Sequence, residues 1–124
     1  PMLTALSHYR RTRKPIRFQA TLAWITNHAE RDQWKTFRFP RIYWEGASQR
    51  AAELGYKLES FWLREPGVTP ARLAKLLQAR GIPGLIFAPQ PQAGTHLDFP
   101  TGPFSCVAIG QSLTEPHLHR VGAN

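Results

Sequence analysis

The sequence predicts an α/β fold, a parallel sheet with helices on both faces, and three observations carry that expectation. Helix and strand patterns alternate between Arg41 and Pro89. Each helix ends on a glycine, at Leu54-Gly55-Tyr56 and at Arg80-Gly81-Ile82. Leu85-Ile86-Phe87-Ala88 is a continuous apolar run, as a strand covered on both sides requires. In such sheets ligands bind beyond the carboxyl ends of the strands, so functional residues are sought there.

The elements follow in order. Pro1 to Leu6 reads as a short helical turn leading into a basic arm. Gln19 to Thr26 is rich in β-branched and aromatic residues and predicts the first strand. Asn27 to Arg38 is polar, charged and aromatic without a period, and reads as a loop. From about Pro40 to Leu54 a helix is expected, with Tyr43, Ala47, Ala51 and Leu54 as one apolar stripe. Pro40 suits its first turn. Tyr56 to Leu63 is the second strand. Thr69 is placed to cap the next helix and Pro70 to open it, with Leu73, Leu76 and Leu77 as the buried face. After the third strand, Pro89 to Pro103 is broken by proline and glycine, and His96 to Phe99 is the stretch able to make a helical turn. Phe104 to Ile109 is a fourth strand, and His117 to Val121 begins a fifth. The chain stops at Asn124 without a helix after that strand, as expected of part of a larger protein.

At 124 residues the chain suits one small domain, able to bury roughly two thirds of its unfolded surface. The net charge is +8, from 16 basic and 8 acidic residues. Arg10, Arg11, Arg13, Lys14 and Arg17 all precede the first acid, Glu30, so a polyanion would meet the N-terminal arm first. Cys106 is the single cysteine, which excludes an internal disulfide, and its apolar strand predicts a buried, inert thiol. No apolar run approaches the roughly 20 residues of a membrane span. No apolar block and cleavage site follow the N-terminal basic residues, so a cytoplasmic protein without membrane partners is expected.

The chemistry-bearing residues argue against an enzyme. There is no G-x-S-x-G elbow, phosphate loop or paired-acid pattern, and Ser105, Asp98 and His117 make a triad by residue type alone. No cofactor is implied. His117 and His119 share a strand face but lack a third ligand of suitable spacing, so no metal site is expected. Trp24, Trp34, Trp44 and Trp62 are expected to pack rather than stack on bases or sugars. The carboxyl ends of the first and third strands present Thr26, Asn27, Pro89 and Gln90. Sugar recognition uses planar amides for paired hydroxyls and an aromatic face for ring C–H groups, and Asn27, Gln90 and Phe39 supply these.

Taken in order, several segments resemble the effector-binding core of LacI/GalR-type transcription regulators, which shares the Rossmann-like fold of periplasmic sugar-binding proteins. The resemblance rests on Glu45-Gly46-Ala47 through Ala52-Glu53-Leu54-Gly55-Tyr56, on Arg80-Gly81-Ile82-Pro83-Gly84-Leu85-Ile86-Phe87-Ala88-Pro89, on Phe104 to Gly110, and on Pro1-Met2-Leu3-Thr4-Ala5-Leu6. It implies a hinge and basic linker over residues 1–17 and an N-terminal core subdomain over residues 18–124. Phe39 and Pro40 would touch a sugar-like effector. Leu6 would wedge into the minor groove of operator DNA, with Arg10, Arg11 and Arg13 on phosphates. A homodimer is implied, with the Pro40–Leu54 helix near its interface. The helix-turn-helix headpiece and the second subdomain are absent, and Gln111 stands where the family has an aspartate. A fragment of a periplasmic-type sugar-binding protein, or a free-standing basic nucleic-acid-binding domain, are the alternative readings.

Overall fold

Strand β1 (Ala20–Thr26) is the axis of the structure, because the chain returns to pair with it on both sides. The computed structural model describes residues 17–122. The expected hinge turn, Leu6, Arg10, Arg11 and Arg13 therefore lie outside the described residues. On one side β1 pairs with β2 (Tyr56–Trp62), in register from Ala20 opposite Tyr56 to Thr26 opposite Trp62. On the other side lies β3 (Gly84–Phe87). Helix α1 (Arg38–Glu53) connects β1 to β2, and helix α2 (Pro70–Ala79) connects β2 to β3. Beyond β3 come a two-residue strand β4 (Thr95–His96), then β5 (Ser105–Ile109), β6 (Leu113–Glu115) and β7 (His119–Val121). The main sheet has five strands in the order β2-β1-β3-β5-β7, all parallel, while β4 and β6 pair in a second sheet. This is the expected α/β class.

Alternation along each strand divides the core in two. Ala23 and Ile25 of β1, and Leu85 and Phe87 of β3, pack with Leu73, Ala74 and Leu77 of α2. Trp24 of β1 and Leu58 of β2 pack on the opposite side with Tyr43, Trp44 and Ala47 of α1. Each face is thus closed by one helix. At burial worth roughly 25 cal/mol per Å² of apolar surface, this double coverage holds a sheet whose central strands have no solvated side.

Several local expectations change. Helix α1 begins at Arg38, two residues before Pro40, because a helix's first N–H groups have no intrahelical acceptor and proline in that turn costs no bond. Leu54 caps the helix and is exposed rather than on its apolar stripe, and Trp44 packs against the core in addition to the expected residues. In α2 the buried set is Leu73, Ala74 and Leu77, while Leu76 lies half exposed at the flank of the stripe. Thr69 caps α2 as expected, its hydroxyl accepting the Arg72 N–H at 3.1 Å. The stretch His96 to Phe99 is not a helical turn. Pairing with β6 wins there: the Leu97 N–H donates to the Glu115 carbonyl at 2.8 Å, and Phe99 packs edge-on against Phe87. Gly55 and Gly81 both adopt positive φ (88° and 70°), which lets each helix reverse into the following strand.

Candidate functional site

The carboxyl ends of β1 and β3 lie side by side, since the Ala88 N–H donates to the Ile25 carbonyl at 2.9 Å. Above them is a cavity of about 450 Å³ lined by His28, Gln33, Phe37, Phe39, Pro40, Pro89, Gln90 and Pro91. Two stretches far apart in sequence build it: the loop after β1 running into the first turn of α1, and the segment after β3.

A chain of amides sets the polar floor. The Asn27 Nδ2 donates to Gln90 Oε1 at 3.2 Å, and Gln90 Nε2 donates to the Ala88 carbonyl at 2.9 Å. Arg64 Nε donates to Asn27 Oδ1 at 3.3 Å. The Gln90 N–H donates to Ser112 Oγ at 2.7 Å, tying this segment to the loop before β6. These bonds fix both amide orientations, so Gln90 meets the cavity with its rotamer already chosen.

The loop after β1 is ordered from within. The Trp62 indole N–H donates to the His28 carbonyl at 2.8 Å, and Arg31 lies over the Trp62 ring while pairing with Glu65 at 2.6 Å. Residues Gln33–Thr36 form a 3-10 turn whose Trp34 is 1% exposed and packs against both Trp24 and Trp44. The burial of Trp34 holds the loop on the sheet and delivers Gln33 and Phe37 to the cavity wall. His28 is 3% exposed and stacks on Phe37 at a centroid distance of 5.5 Å. Burial, with the nearby charge of Arg64 as the smaller cause, holds its titration below the ordinary histidine value.

Of the expected ligand residues, Phe39, Pro40, Pro89 and Gln90 line this cavity. Phe39 is 70% exposed, an aromatic face open to a partner. Asn27 stands behind Gln90 as its hydrogen-bond support. Thr26 is buried, and its hydroxyl donates to the Phe61 carbonyl at 3.4 Å, so it braces β1 against β2. Sequence reading missed His28, Gln33, Phe37 and Pro91. A tryptophan in an otherwise polar loop was the available sign that Asn27 to Arg38 folds back on the sheet.

Elsewhere, Cys106 is half buried and its thiol is pushed up to about 11 by desolvation. His117 lies before β7 and pairs with Glu115 at 3.2 Å. No group of three or more potential metal ligands occurs among the described residues. No helix among them is long and apolar enough to cross a membrane.

Comparison with known proteins yields no match to a family model, a curated protein or a solved structure.

Proposed function

We propose that this chain is a small-molecule-sensing unit that binds a polar, sugar-like ligand in the cavity at the carboxyl edge of its sheet. The observation that carries the reading is the convergence of Phe39 and Pro40 with Pro89 and Gln90 around one cavity. Gln90 supplies an oriented amide, and Phe39 an exposed ring for C–H stacking. Asn27 and Arg64 keep that amide in place.

The wider setting of the proposal is a cytoplasmic LacI/GalR-like transcription regulator, supported by the order of the residue segments that resemble that family. In it, effector binding would favour one arrangement of paired subunits over another, by as much as its affinity differs between the two. Leu6, Arg10, Arg11 and Arg13 would then serve operator DNA, and α1 would face the partner subunit. The role is binding, with no catalytic residue assigned.

A panel of neutral and charged sugars, screened by thermal shift and by NMR titration, tests the reading. A ligand that raises Tm and perturbs Phe39, Gln90 and His28 is expected. Because the Phe39 side chain is largely exposed, Phe39→Ala is expected to weaken that ligand about tenfold without lowering Tm. Perturbations that map to another face, or ligand affinity unchanged in Phe39→Ala, overturn the proposal.

A further inference from the structure

The wall of the candidate sugar site carries no carboxylate, and a helix start and several arginines adjoin it. Helix α1 presents its N-terminus to it through Phe37, Phe39 and Pro40. The preceding residue, Phe37, gives no side-chain cap, and the first turn holds no acidic residue. The N–H groups of Arg38 and Phe39 precede the first intrahelical bond, which runs from the Arg41 N–H to the Phe37 carbonyl. The first turn instead carries Arg38, with Arg41 directly after it, where the helix dipole disfavours cations. Neither arginine has a carboxylate partner among the described residues.

The floor repeats the pattern. Arg64 reaches the amide chain through Asn27 and also has no carboxylate partner there. None of the lining residues is acidic; of the acids in the adjoining loop, Asp32 is engaged by Lys35 at 3.5 Å, while Glu30, whose N–H donates to Gln33 Oε1, lies outside the lining. A separate observation points to a ligand. His28, in the cavity wall, is buried, yet its Nδ1 has no hydrogen-bond partner among the described residues. Buried polar atoms are normally satisfied, so an orphan in a cavity wall calls for a partner from outside the chain, a water, an ion or a ligand group. Phe37, stacked on His28 and itself about half exposed, is the ring such a group would displace.

We propose that the ligand of this cavity carries an oxyanion, a phosphate or a carboxylate, seated at the N-terminus of α1, with its C–H surface on Phe39 and with Arg38 and Arg41 of the helix start and Arg64 beside Asn27 contributing charge. The inference rests on the binding role proposed above and adds the charge of the ligand. Anion binding at a helix N-terminus combines free N–H donors with a favourable dipole, and guanidinium groups add charge-assisted hydrogen bonds.

The test titrates the full chain with glucose, glucose 6-phosphate, gluconate and inorganic phosphate, following backbone amides and the His28 ring by NMR. Glucose 6-phosphate or gluconate is expected to bind at least about tenfold more tightly than glucose, with shifts at Phe39, Gln90 and the His28 ring and an affinity that falls with salt. Which of the two anions prevails separates phosphate from carboxylate. The double variant Arg38→Gln/Arg41→Gln removes exposed charges from a helix start, so it is expected to keep or raise Tm while weakening the anion about tenfold. Glucose binding as tightly as its charged relatives would overturn the anion inference and leave the sugar site standing. Unchanged anion affinity in the double variant, or shifts confined to the basic arm, would overturn it too. A cavity silent to all four probes overturns both proposals.

Discussion

On the α2 side of the sheet, Leu73, Ala74 and Leu77 meet Ala23, Ile25, Leu85 and Phe87 in a core of aliphatic residues and phenylalanines that leaves no buried side-chain polar atom without a partner among the described residues. On the α1 side, Trp24, Trp34 and Trp44 meet at centroid distances of 5.2 to 5.7 Å. That side also holds the orphaned Nε1 atoms of Trp24 and Trp34, Ser48 Oγ and His28 Nδ1. An unsatisfied buried donor or acceptor costs about 1–3 kcal/mol. The α2 side is therefore packed for stability. The α1 side holds the orphaned groups and carries the cavity at its upper end. The difference separates the two roles within one sheet: the side that supports binding is the less well satisfied.

The largest expected effect that sharpens this comparison is Trp34→Ala. It should cost about 3–5 kcal/mol in urea denaturation, and it should also disperse the NMR signals of His28 and Phe37, because Trp34 anchors the loop that carries them. Leu77→Ala on the other side should cost about 2–5 kcal/mol while leaving those signals in place. A Trp34→Ala protein with an intact cavity breaks the comparison. Next come the indole nitrogens. Trp62→Phe loses the bond to the His28 carbonyl, about 1 kcal/mol, whereas Trp34→Phe loses no hydrogen bond and pays only for volume. Equal losses in the two variants would show that the Trp34 N–H is satisfied after all. Thr69→Ala removes the α2 cap and should cost about 1 kcal/mol, without effect on ligand binding.

The smallest effect is in pH. A histidine held below its ordinary value of 6.5 by burial takes up its proton less readily when folded, so the unfolded chain binds more protons as pH falls below that value. Its contribution to stability is complete above about pH 6.5 and declines as pH drops toward the native titration point. Glu59, held low chiefly by its hydrogen bond with Arg80, contributes in a separate range, lost only as pH falls below about 4.5. Denaturation midpoints measured between pH 7 and 5 should fall, and His28→Gln should flatten that slope. A slope unchanged by His28→Gln would place its origin elsewhere.

Much of the α2 side was legible because its signals are local. Thr69-Pro70 marks a helix start, Gly81 a helix end, and leucines at helical spacing mark a buried face. Even there the spacing admits either Ala74 or Leu76 on the buried stripe, and the choice falls to the packing of β1 and β3. On the α1 side, the loop from Asn27 has no period, and the fold of Gln33–Thr36 depends on Trp34 finding Trp24 and Trp44. Pairing of β4 with β6 was equally hidden, because strands of two and three residues carry no pattern of their own.

The candidate site divides the same way. Thr26, Asn27, Pro89 and Gln90 were placed by a topological rule that needs only strand order and strand ends. Their separate tasks were not. Thr26 turns to Phe61 and Asn27 to Gln90, while Gln90 meets the cavity, and those choices rest on contacts between residues up to 63 positions apart.

By itself, then, the sequence determined the parallel α/β class, the helix ends and the sheet edge at which a ligand would be sought. Each depends on interactions within a turn or on burial of a periodic face. Tertiary structure alone decided which face gathered the tryptophans, which loop folded inward, and that His28, Gln33 and Phe37 share a wall with Phe39 and Gln90. Such choices are set by side chains distant in sequence competing for the same buried volume, and no local pattern records the outcome.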